Sequence, residues 1–243
     1  MGHYRWNFDT KGSNMSEEIY LVNSPFSETK EYFTGHNAFG DYLRYSLLNC
    51  QKILLIVYNC YDAHLIDNYY NAISQAMKNA RLYNNELIAL TSDNKYDLQN
   101  LMENSDAVFV VGGDILKNNP FFVEIGLQKL LSDYSGVIID IRADCFDCNR
   151  LSERIVEIGG GTYRVPQGSF LHIQKRRVGI YGVAYQLIDG KFIKVCDNNK
   201  VYYIGDKPHK EVNEWGIVLL MAIVGVIFFL LRIGILLFEL LML

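Results

Sequence analysis

The chain has 243 residues, enough for one sizeable core, and carries 27 acidic against 23 basic side chains for a net charge of −4. With no basic cluster to gather phosphates, nucleic-acid binding is excluded as an expectation. The five cysteines are odd in number, and Cys50 and Cys60 lie in or beside apolar runs, a usage that fits a reducing compartment.

In chain order, residues 1–17 form a polar leader without the apolar centre of a signal peptide. It is expected to be disordered, and Met15 is an alternative start. Short apolar runs then alternate with segments of helical spacing. Ile19 to Val22, Ile53 to Tyr58, Glu86 to Leu90, Ala107 to Val111 and Val137 to Ile141 predict buried strands. Phe39 to Asn49, Leu65 to Leu82, Leu98 to Asn104 and Phe121 to Leu131 predict helices. Such alternation implies a mainly parallel sheet covered on both faces, an α/β three-layer sandwich. From Ser169 to Val195 the pattern changes to period two, predicting a small antiparallel β unit. The domain is expected over residues 18–204, followed by a polar linker over 205–214.

From Trp215 to Leu231 there are 17 residues without a charge, and the apolar run resumes after Arg232 as far as Phe238. A helix of 24 residues reaches about 36 Å against a hydrocarbon core of about 30 Å, so residues 215–243 predict a single transmembrane anchor in contact with membrane lipid. Arg232 costs about 2.5–3.5 kcal/mol within a span, an amount this apolar segment can bear. Lys207 and Lys210 precede the span, which places the larger N-terminal part in the cytoplasm as a tail-anchored domain.

In a sheet of this kind, ligands gather beyond the carboxyl ends of the strands. Two such ends draw attention. Ala107 to Val111 runs into Gly112-Gly113-Asp114, where paired glycines let backbone amides approach an anion, or where a tight turn ends in Asp114 as a helix cap. Val137 to Ile141 runs into Arg142-Ala143-Asp144-Cys145, the place of a strained nucleophile elbow in hydrolases of this architecture.

At this point the motifs become specific. Asp106 to Asp114, Asn118 to Gly126 and Gly136 to Asp144, with Ser24-Pro25-Phe26, Asn37 to Leu43, Asp62-Ala63-His64 and Val165 to Phe170, resemble the dipeptidase E and cyanophycinase family of serine peptidases. The resemblance covers about Glu18 to Ile204 and implies the class I glutamine amidotransferase-like fold. It also implies departures from that family's chemistry. Its elbow, Gly-x-Ser-Ala-Gly, falls on Asp140-Ile141-Arg142-Ala143-Asp144, so Arg142 occupies the nucleophile's place and both flanking glycines are aspartates. A guanidinium stays protonated and offers no lone pair for attack. The family's histidine-bearing segment is reduced here to Cys145–Gly161, which holds no histidine. Neither His64 nor His172 matches a family base.

The expectation is therefore a membrane-tethered, catalytically degenerate domain that binds a small peptide or protein ligand through Gly112, Gly113, Asp114 and Ala143, without cofactor or metal. The alternative is a peptidase or amidohydrolase with a displaced nucleophile at Cys145. A single Cys145-x-x-Cys148 pair is too few ligands for zinc. Arg142 could pair with Asp140 or Asp144, and Gly159 to Gly161 is expected to be a plain connection.

Overall fold

The computed structural model describes residues 4–5, 18–112, 119–142, 153–174 and 177–205. Its centre is an eight-stranded sheet in the order β13-β10-β9-β2-β6-β5-β3-β4. Five of these are runs expected as buried strands: β2 (Glu18–Val22), β3 (Lys52–Val57), β4 (Glu86–Ala89), β5 (Ala107–Val111) and β6 (Val137–Ile141), although β4, at the sheet edge, is only half-buried. All pairings among these five are parallel. Val108, Phe109 and Val110 on β5 are completely buried, as a central strand covered on both faces requires.

One face is covered by α1 (Phe39–Leu47) and α2 (Ala63–Asn79), whose Leu43, Leu47, Ile66 and Ile73 pack on Tyr20, Leu55, Phe109 and Ile139. Asp62 starts α2 by accepting the Leu65 amide at 3.0 Å, which satisfies one of the free N–H groups of the first turn. The other face is covered by α3 (Leu98–Glu103), α4 (Pro120–Glu124) and α5 (Leu127–Asp133). The single helix expected over 121–131 is two, because Gly126 takes a left-handed backbone with φ 63° between them.

The expected antiparallel unit is divided between two sheets. β9 (Phe170–Gln174), β10 (Arg177–Tyr181) and β13 (Val201–Tyr203) extend the central sheet antiparallel beyond β2. β11 (Ala184–Ile188) and β12 (Lys191–Cys196) join β7 (Arg154–Ile158) and β8 (Gly161–Val165) in a second, five-stranded sheet. Val156, Tyr163 and Val165 of that sheet pack in one core with Leu21, Leu171 and Ile180 of the first. β1 (Tyr4–Arg5), inside the segment expected to be a disordered leader, pairs parallel with Val156 and Glu157.

The connection expected at Gly159 to Gly161 is the turn of the β7–β8 hairpin. Ile158 pairs with Gly161, leaving Gly159 (φ 59°) and Gly160 (φ 78°) as a two-residue turn. Positive φ at both central residues is the requirement of the tightest hairpin turns, and glycine meets it at least cost.

The apolar segment Trp215 to Phe238 lies outside the described residues, as do Gly113, Asp114, Ala143, Asp144, Cys145 and Cys148. Among the described residues no helix is long and apolar enough to cross a membrane.

Candidate functional site

Parallel strands β2, β3, β5 and β6 deliver Asn23, Tyr58, Gly112 and Arg142 to one edge of the sheet. Arg142 continues the ladder by donating its amide to the Val22 carbonyl at 3.3 Å. Its side chain donates from Nη1 to the Glu153 carbonyl at 2.8 Å, tying the end of β6 to the residue before β7.

Asp140 is wholly buried, and its charge is met by Arg154 of β7, Nη1 to Oδ2 at 2.9 Å, with both side chains about 1% exposed or less. The Arg142 pairing anticipated for Asp140 is therefore replaced by one with Arg154, 14 residues onward. A carboxylate in this environment is stable only with its counter-ion in place, so Asp140 and Arg154 form a structural unit. Two residues before Arg142 the strand thus carries a carboxylate pinned beneath the second sheet.

Asn23, 1% exposed, donates Nδ2 to the Val165 carbonyl at 2.8 Å, and so links β2 to the end of β8. Among the described residues the Asn23 Oδ1 and the buried Ser169 Oγ have no hydrogen-bond partner. Both flank the paired residues Val22 and Phe170.

Gly112 serves packing and pairing. A Cβ there would come within 2.5 Å of Phe122 Cε2, and the amide donates to the Ile141 carbonyl at 3.1 Å. Of the two amides expected to cradle an anion, that of Gly112 is engaged in the sheet. The helix that follows is capped by Asn119, whose Oδ1 accepts the Phe121 and Phe122 amides at 2.9 and 3.3 Å.

A polar cluster that sequence reasoning missed gathers behind β3, β4 and β5. Lys95 donates to Glu124 Oε1 at 2.8 Å and to the Tyr61 hydroxyl, and the same hydroxyl donates to Glu124 at 3.2 Å. Its ammonium also lies 4.7 and 4.8 Å from the ring centres of Tyr61 and Tyr96. The Glu124 carboxylate and the Tyr61 hydroxyl hold the Lys95 ammonium well above its ordinary value, while Lys95 lowers Glu124. The cluster ties the turn after β3 and the segment after β4 to the end of α4. Its members lie 29 to 34 residues apart or more, and the one sequence signal was that each follows a parallel strand.

Three histidines lie among the described residues, and His36 lies against Gly168, 3.8 Å from where a Cβ there would stand. His64, in the first turn of α2, is exposed. His172 on β9 pairs with Tyr20, stacks on its ring at 4.4 Å and meets Glu18 Oε1 at 2.6 Å. Glu18 opens β2, at the opposite end from Arg142. Burial raises the Glu18 carboxyl, but hydrogen bonds from His172, Ser46 and Tyr20 outweigh it and hold it below its ordinary value. Cys50, Cys60 and Cys196 are buried free thiols, and burial pushes Cys50 up to about 11. Among the described residues no group of three or more His, Cys, Asp or Glu could hold a metal.

Neither protein-family models nor curated proteins match the sequence. Among solved structures, the chain is similar to the crystal structure of a peptidase from an acI-B1 actinobacterium, with 12% identity and a TM-score of 0.49. That likeness covers 78% of this chain and 98% of the other, and at this distance it carries no argument about activity.

Proposed function

We propose that the chain is a catalytically silent domain on a serine-peptidase-like scaffold, held at the cytoplasmic face of a membrane by residues 215–243, and that it works by binding a small peptide or protein. The observation that carries the reading is the fully buried Asp140–Arg154 pair at 2.9 Å beside Arg142. Strand-end positions that would hold a nucleophile and its turn instead hold charges that fasten β6 to β7. A permanently protonated guanidinium cannot attack a carbonyl, and His172 belongs to the far end of β2. Gly113, Asp114 and Ala143 remain the residues proposed to meet the ligand, with Gly112 shaping the turn from behind.

The tether rests on the length and apolarity of the segment from Trp215 to Phe238. Cells expressing the full chain, and a version ending at Asn213, test both halves of the proposal. The full chain alone should pellet with membranes, and a serine-reactive fluorophosphonate should label neither. Equal partitioning would remove the tether, and labelling would remove the silent site.

A further inference from the structure

Apart from the strand-end residues, a cleft of about 260 Å³ is bounded by Tyr32 and Phe33 of the loop after β2, Asp41 and Arg44 of α1, and Asn79 and Arg81 at the end of α2. None of Asn23, Gly112 or Arg142 lines it. The charges among its lining residues do not balance, since two arginines stand with one aspartate. Both arginines are exposed, and among the described residues neither the Arg44 nor the Arg81 side chain makes an ion pair, hydrogen bond or ring contact.

Arg81 also holds a backbone state that side chains avoid, with φ 63°. The Arg81 amide donates to the Lys78 carbonyl at 2.9 Å and the Leu82 amide to the Met77 carbonyl at 3.0 Å. These two bonds define a helix-ending turn whose left-handed position is normally glycine. A cation is welcome at a helix C-terminus, but Lys78 already supplies one in the last turn without that strain. An arginine kept in a costly conformation, with no side-chain partner among the described residues, marks a side chain used for something beyond the fold.

The geometry points to a binding site for a small molecule that carries one oxyanion group, carboxylate or phosphate, on an apolar body. Guanidinium forks match either anion with paired hydrogen bonds. One negative charge would neutralise the excess left by Arg44, Arg81 and Asp41, and Tyr32, 52% exposed, offers a ring face to the apolar part.

Thermal unfolding of the full chain, titrated separately with phenylacetate, phenyl phosphate and neutral benzyl alcohol, tests the assignment. At least one anion should raise the unfolding midpoint saturably while benzyl alcohol does not, and the responding anion identifies the head group. Arg44→Gln and Arg81→Gly should each weaken that response by about tenfold or more. Arg81→Gly should itself melt above the parent, which separates lost binding from lost folding. No response to either anion, a response unchanged in both variants, or an Arg81→Gly chain that melts below the parent overturns the assignment.

Discussion

Strand β2 has a charged cluster near each end, and the two are built differently. At its start, Glu18 is shared by His172, Tyr20 and Ser46 at 2.6 to 2.9 Å, with the Glu18 and His172 side chains 16% and 10% exposed. Near its far end, beside Leu21, Asp140 and Arg154 meet with no more than 1% exposure. Water can take over part of the first cluster when a member is lost, but it cannot reach the second. The first therefore behaves as an adaptable polar network and the second as a structural bolt. The bolt occupies the edge where ligands of such sheets gather, and the histidine occupies the edge where they do not.

The sharpest way to break this contrast is Arg154→Met. Leaving Asp140 buried without its counter-ion should cost about 3–5 kcal/mol in urea unfolding, and the double variant with Asp140→Leu should recover most of it. A loss below about 1 kcal/mol for the single variant would show that water reaches the pair after all. Gly112→Ala comes next. A methyl group 2.5 Å from the Phe122 ring must push α4 outward, at about 1–3 kcal/mol, measurable in the same way.

The smallest effect belongs to the other cluster. Glu18 titrates lower folded than unfolded, so it stabilises the fold above its ordinary value of 4.5, and that contribution is lost as pH falls through its lowered folded value. Glu18→Gln should flatten this part of the stability curve, by less than about 1 kcal/mol. An unchanged acid limb would mean that Glu18 gains nothing from its three donors.

The parallel half of the fold was legible because buried parallel strands write themselves as continuous apolar runs. Ala107–Val111 and Val137–Ile141 have the same bounds in sequence and structure. Where tertiary context decides, legibility fails. The period-two stretch from Ser169 to Val195 reads as one unit, yet the chain changes sheets at Gly182, where φ is 97° and a Cβ would strike Asn37 Nδ2. Arg154–Ile158 also alternates between buried and half-buried positions, but a buried arginine gives no sign of its partner until the fold brings Asp140 beneath it. The site followed the same rule. Arg142 at the end of β6 could be read directly, whereas Tyr61, Lys95 and Glu124 share no local motif and meet only through the strand order β5-β3-β4.

Turnover is the most direct test of the claim that the end of β6 has exchanged chemistry for structure. The full chain, incubated with a library of aspartate-containing dipeptides, should release no amino acid above the blank. Hydrolysis that disappears in Cys145→Ala would contradict the account and make that thiol the nucleophile.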